Sequence, residues 1–351
     1  MNKEVSIGKT RISEKSRTYI IAEMSANHLG DYDRAKKIIE AVKAAGADAI
    51  KLQTYTADTI TIDCNSDIFQ ADKGGLWEGN TLYHLYQKAY TPWEWQPSLK
   101  EYAESLGLDC FSSPFDFKAV DFMQEMQMPA FKIASYEIND IPLIRRVART
   151  GKPIIISTGI ARLSDIELAL QVCKEEKNEN VILLKCTSAY PCPYEDMNLK
   201  IIPNMKETFQ CIVGISDHTL GSEVTLGAVA LGAKVVEKHV TLKRKDGGAD
   251  AAFSMEVEEF SEMVKQIRNL EKALGAATYE LTEKQKNGRK TSRSLFVVKD
   301  MEEGERFTEE NVRSIRPGVG LHTKYYEDVL GRKAVQKIKK GTPLSWELIR
   351  K

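Results

Sequence analysis

The chain has 351 residues, long for one domain but enough for a barrel with a small appended unit. Lys plus Arg and Asp plus Glu each number 50, so the net charge is zero, within a composition 42% hydrophobic and 28% charged that is ordinary for a soluble globular protein. That balance supplies no bulk attraction to nucleic acid or anionic lipid. No run approaches the ~20 apolar residues of a membrane span, and no basic segment leads into an apolar run at the N-terminus. The expectation is a cytoplasmic enzyme with neither nucleic acid nor membrane as partner. The six cysteines are scattered without a C-x-x-C pair, which reads as reduced core residues rather than a disulfide or zinc framework.

Along the chain, short apolar or β-branched runs recur: TYIIAEM (18–24), DAIKLQT (48–54), LDCFSSP (108–114), AFKIASY (130–136), PIIISTG (153–159), VILLKCTS (181–188), IVGISDH (212–218) and VVEKHV (235–240). Amphipathic stretches separate them. The clearest has Ala35, Ile38, Ile39, Val42 and Ala45 on one helical face, with Asp31 or Asp33 to cap its start and Gly46 to end it. Continuous apolar strands alternating with helices predict a parallel sheet buried on both faces, and eight units predict a closed (β/α)8 TIM barrel. No G-x-G-x-x-G follows the first run, against a dinucleotide fold.

The runs end in polar residues: Glu23, Lys51 and Gln53, Ser113, Lys132 and Ser135, Ser157, Thr187 and Ser188, Ser216 and His218, and His239. In a barrel these ends converge on the face that carries active sites. Residues 55–95 break the rhythm with an insertion rich in Trp77, Tyr83, Tyr86, Tyr90, Trp93 and Trp95, readable as a substrate wall, a packed helix, or both.

The barrel domain is expected over 1–275, a polar linker over 276–292 and a small domain over 293–351. VVKDMEEGERFTEENV and AVQKIKKGTPLSWELI form a weak repeat 37 positions apart, aligning Gly304 with Gly341 and Met301 with Ile338, which predicts a pseudo-symmetric β-rich unit. RPGVGL (316–321) offers it a glycine-rich loop with Arg316.

His218 and His239 end the seventh and eighth runs, so neighbouring strands about 4.8 Å apart would bring both imidazoles to one divalent ion. Two protein ligands leave positions for water and a substrate carbonyl, and imidazole plus water suits Mn, Co, Mg or Zn. Asp217 and Asp250 are candidate outer partners of the histidines. Lys51 and Lys132, without an assigned acidic partner, read as anion ligands, with the serines adding hydroxyl donors. Glu23 and Glu137 remain as acid, base or hydroxyl-orienting groups.

IAEMSANHLGD, IKLQTY, FSSPFD, FKIASYEIND, IISTGIA, LLKCTSAYPCPYED, VGISDHTLG, EKHVT and RPGVGL, in this order over nearly the whole chain, resemble the sialic-acid-type (nonulosonate) synthase family. The insertion GGLWEGNTLYHLYQKAYTPWEW resembles its pseudaminate-forming branch. The resemblance implies a (β/α)8 barrel with a C-terminal antifreeze-like (SAF) domain, and condensation of phosphoenolpyruvate with an open-chain acetamido sugar. It implies metal, Mn first, on His218 and His239. Lys51, Ser113, Lys132, Ser135, Ser157, Ser188, Tyr190 and Ser216 would surround phosphoenolpyruvate. Glu23, Gln53, Glu137 and Asp250 would hold the sugar or reacting water, and Asn27 and Arg316 would contact the sugar. Arg316 would come from the second subunit of a domain-swapped homodimer. Ser188 stands where the family usually has asparagine, and Ser113 where it usually has threonine. An N-acetylmannosamine-type sugar giving N-acetylneuraminate or legionaminate is the nearest alternative; a Schiff-base aldolase on Lys51 or Lys132 and a carbohydrate-binding protein are the others.

Overall fold

The computed structural model describes residues 1–71 and 74–350, so Asp72 and Lys73 of the insertion and the terminal Lys351 lie outside the described residues. The chain forms two compact units, Met1–Gly275 and Ala276–Lys351.

The first unit opens with a hairpin, β1 (Glu4–Ile7) and β2 (Thr10–Ser13). The sequence reading left this element out, because two four-residue strands carry little periodic signal. Val5, Ile7 and Ile12 join the main core, and Thr10 and Tyr19 both donate to the carboxylate of Asp109, at 3.0 and 2.9 Å. Gly8 turns the hairpin at φ +54°, where a Cβ would stand 2.0 Å from that carboxylate. Asp109 begins a barrel strand, so the hairpin seals the N-terminal end of the barrel.

Eight parallel strands follow: β3 (Tyr19–Glu23), β4 (Ala49–Thr54), β5 (Asp109–Pro114), β6 (Phe131–Ile133), β7 (Ile154–Ser157), β8 (Val181–Cys186), β9 (Ile212–Asp217) and β10 (Val235–Thr241). Each pairs with the next, and β10 pairs with both β9 and β3, so the sheet closes on itself as the expected barrel. A two-residue strand, β11 (Met255–Glu256), pairs in parallel with the C-terminal end of β10. The helices pack outside. Of the two capping candidates for Tyr32–Ala44, Asp31 does the work by accepting from the Arg34 N–H. The insertion contains the helix Leu82–Ala89, which the packed-helix reading anticipated. No helix among the described residues is long and apolar enough to cross a membrane.

The second unit is built on β12 (Ser294–Val297) and β13 (Val312–Ile315), paired antiparallel, with its own core around Leu295, Phe307, Val312 and Leu344. The 37-residue repeat is a structural two-fold. Met301 and Ile338 exchange both backbone hydrogen bonds, at 2.8 and 2.9 Å. Gly304 donates to Ala334, while Gly341, 37 positions later, donates to Val297, 37 positions before Ala334. The polar stretch 276–292 contains the helix Glu283–Arg289, capped by Thr282 and exposed throughout.

Candidate active site

Alternation decides which side chains enter the barrel. The register pairs His239 with Glu23 and Glu23 with Lys51, then Glu237 with Ser216 and Ser216 with Cys186. These groups therefore share the inner face, together with Gln53, Ser113, Lys132 and Ser157 on their own strands. Lys51, Lys132, Ser113, Ser157, Ser216 and Glu23 are all buried at the mouth.

The lysines have carboxylate partners, contrary to the reading that left them without one. Lys51 contacts Glu23 and lies 3.7 Å from Glu237, which is also 3.9 Å from Lys132. Glu237 sits two residues before His239 on β10, so period-two alternation could have found it. Burial opposes the charge on Glu237, but Lys132 and Lys51 outweigh it and hold the carboxyl below its usual range. Burial lifts the Glu23 carboxyl to about 7 against the opposing pull of Lys51. Burial likewise lowers Lys132, with Glu237 pulling the other way. The cluster can thus hold a proton at Glu23 while an anion engages the two lysines.

Hydroxyl groups line one side. Ser188 donates to Ser135 at 2.8 Å, Ser135 accepts from the Ile160 N–H at 3.1 Å, and Ser216 donates to Glu237 at 2.9 Å. Lys51 donates to Ser113 at 3.4 Å, whereas the Ser157 hydroxyl is buried with no partner among the described residues. Gly159, which the sequence reading did not single out, makes room for this arrangement. A Cβ there would stand 2.3 Å from the Ser188 hydroxyl and 2.6 Å from that of Ser135.

The rings of His218 and His239 lie 5.3 Å apart at 58°. His218 Nδ1 donates to the Thr187 carbonyl at 3.1 Å, which fixes the tautomer and leaves Nε2 with its lone pair. His239 Nδ1 is buried without a partner among the described residues. Burial lowers His218 to about 4 and His239 well below the usual value, so both imidazoles are neutral near pH 7, the form that ligates metal. Among the described residues no three His, Cys, Asp or Glu side chains are grouped to hold an ion. The candidate donor set is therefore the histidine pair alone.

Neither aspartate supports these imidazoles. Asp217 lies one residue from inward-facing Ser216, so it points out of the barrel, where it pairs with Lys238 at 2.7 Å and accepts from Thr225 at 2.8 Å. Asp250 accepts from the Ser25 hydroxyl and, at 3.4 Å, from the Ala26 N–H. The loop carrying Asp250 also brings Phe253 edge-on to His239 at 4.9 Å, a contact with no sequence signal. Tyr190 lies over His218 at 4.4 Å. Gln53 is partly exposed at the mouth. One Glu137 carboxylate oxygen is buried without a partner among the described residues, and burial raises this carboxyl to about 7.

Asn27 is fully buried, its amide donating to Val240 O and Ser254 Oγ, so this side chain ties β10 to its loop. His28 bridges Thr91 and the Gly30 N–H instead of entering the site. Arg316 follows β13 in the second unit and is exposed.

A closed parallel barrel with an open histidine pair, two buried lysines and a hydroxyl-lined wall, on a chain that ends in a small pseudo-symmetric β unit, defines a class of barrel synthases. The chain belongs to the NeuB family, whose model matches residues 38–279, and the SAF domain model matches residues 292–350. It is 47% identical to the pseudaminic acid synthase of Campylobacter jejuni over 340 residues, covering 97% of this chain and 98% of that protein. The pseudaminic acid synthase of Helicobacter pylori is 44% identical, with 93% and 96% covered. A solved N-acetylneuraminic acid synthetase from Leptospira borgpetersenii aligns with a TM-score of 0.72 at 31% identity, covering 81% of this chain and 94% of that one.

Proposed function

We propose that this chain is a pseudaminic acid synthase. It condenses phosphoenolpyruvate with open-chain 2,4-diacetamido-2,4,6-trideoxy-altrose to give pseudaminate and phosphate. The observation that carries the choice of sugar is the full-length identity of 47% and 44% to two pseudaminic acid synthases, against 38% to an N,N'-diacetyllegionaminic acid synthase of Campylobacter jejuni.

A divalent metal on His218 and His239, Mn by family resemblance, supplies Lewis-acid activation of the sugar aldehyde when bound. Lys51 and Lys132 hold the phosphate and carboxylate of phosphoenolpyruvate, with the hydroxyls of Ser113, Ser135, Ser157, Ser188 and Ser216 and the Tyr190 ring around them. Glu23, Gln53, Glu137 and Asp250 orient the sugar hydroxyls and the reacting water. C3 of phosphoenolpyruvate bonds to the aldehyde carbon, whose oxygen takes a proton and becomes a hydroxyl. Water adds at C2, and the C2–O bond to phosphate breaks, phosphate leaving with the electron pair as the water oxygen becomes the ketone oxygen. Glu137, whose carboxyl is raised to about 7 by burial, is suited to pass one of these protons near neutral pH.

The assembly is a homodimer in which Arg316 of the second copy reaches the sugar. Support comes from the barrel rim, where Phe117, Ile160, Leu163, Tyr194 and Leu220 are exposed large apolar side chains following strand ends, a surface suited to being covered.

The test is phosphate release with the diacetamido-trideoxy sugar and with N-acetylmannosamine. Turnover of the first is expected; turnover of N-acetylmannosamine alone overturns the proposal. Full activity after chelation, or borohydride trapping of pyruvate on Lys51 or Lys132, would instead favour a Schiff-base aldolase.

A further inference from the structure

Four aromatics of the 55–95 insertion are used in packing. Tyr55 meets Tyr86 and Phe115 edge-on, Trp93 stacks on Phe122 at 4.9 Å, and Trp95 meets His28 and Tyr32. Trp77 is different. Its indole N–H donates to the Ala249 carbonyl at 2.9 Å, next to Asp250. Its ring lies 5.9 Å from Tyr190, which lies 4.4 Å from His218. One side chain thus ties the insertion to the loops after β8 and β10, and its partly exposed ring stands two ring contacts from the histidine pair.

The hydrogen bond to Ala249 uses the only polar atom of the indole, so the remaining surface of Trp77 is carbon. A sugar whose aldehyde sits at the histidines has its far carbons several bonds away, on the far side of Tyr190, where Trp77 stands. A carbon wall there favours a terminal methyl over a terminal hydroxymethyl, because the added hydroxyl would give up its water without gaining a partner. We propose that Trp77 is a specificity-determining residue that packs against the distal end of the acetamido sugar and selects a 6-deoxy substrate. This rests on the nonulosonate-synthase reading and adds the residue that chooses the sugar.

The experiment uses full-length wild type, Trp77→Phe and Trp77→Ala with two diacetamido sugars differing only in methyl or hydroxymethyl at C6. The wild type should prefer the 6-deoxy sugar. Trp77→Ala should raise KM for that sugar about tenfold, leave KM for phosphoenolpyruvate unchanged, and narrow the preference in kcat/KM at least about fivefold. Trp77→Phe, which keeps a ring but loses the bond to Ala249, should fall between, and it carries the test if Trp77→Ala does not fold. An unchanged preference in the variants, or an equal rise in KM for phosphoenolpyruvate, overturns the role of Trp77. A wild type that turns over neither diacetamido sugar overturns the reading beneath it.

Discussion

Two single residues show how closely the barrel is fitted, one at the mouth and one beside it. Gly159 has no strained backbone angle; it is required because a methyl group would push into the Ser135–Ser188 hydrogen bond. Gly159→Ala should raise KM for phosphoenolpyruvate about tenfold while the melting temperature stays within a few degrees, measured by steady-state kinetics and thermal melts. His28 is buried neutral, its proton affinity lowered by burial to about 4 from an unfolded value near 6.5. The unfolded chain therefore binds the extra proton between those values, so this contribution to stability is complete above pH 6.5 and is lost as pH falls towards 4. Urea midpoints across pH 7 to 4 should fall less steeply in His28→Gln than in the wild type.

Among the elements, β9 and β10 carry proposed site residues inside and a structural ion pair outside. Ser216, His218, Glu237 and His239 face inward; Asp217 and Lys238, between them, face the helices and are fully buried. Lys238 donates to Asp217 at 2.7 Å and to the Thr219 carbonyl at 2.6 Å, so its charge is satisfied only while Asp217 remains. Asp217→Ala should cost about 3–5 kcal/mol in urea denaturation, because it strands a buried ammonium. Asp217→Leu with Lys238→Met should recover much of that loss. An Asp217 acting on the metal would instead leave stability unchanged and reduce activity.

At the scale of the molecule, the barrel holds every proposed site residue except Arg316, which lies in the second unit. The domain-swapped assembly can be tested by co-expressing His218→Ala with Arg316→Ala. Each variant alone should be inactive. Mixed dimers would pair one doubly damaged site with one intact site, giving back about a quarter of wild-type activity in a swapped dimer and none in an unswapped one. Light scattering on the same preparations should report a dimer.

Much of this was legible in the sequence. Eight apolar runs separated by amphipathic helices determined a barrel, since a parallel strand buried on both faces cannot alternate and needs a helix to return the chain. The polar strand ends determined which groups gather at one mouth of the barrel, and the 37-residue repeat determined the two-fold of the second unit. The ordered motifs placed the chain in its family. Tertiary structure alone decided the partners. Glu23 and Glu237 stand against the lysines because strands far apart in sequence close into one ring, and Asp217 is excluded because a one-residue step turns a side chain to the opposite face. The proposed metal pair, His218 and His239, was visible as two strand ends. That the Thr187 carbonyl aims one imidazole and Phe253 covers the other could come only from the folded loops, whose contacts follow no sequence period.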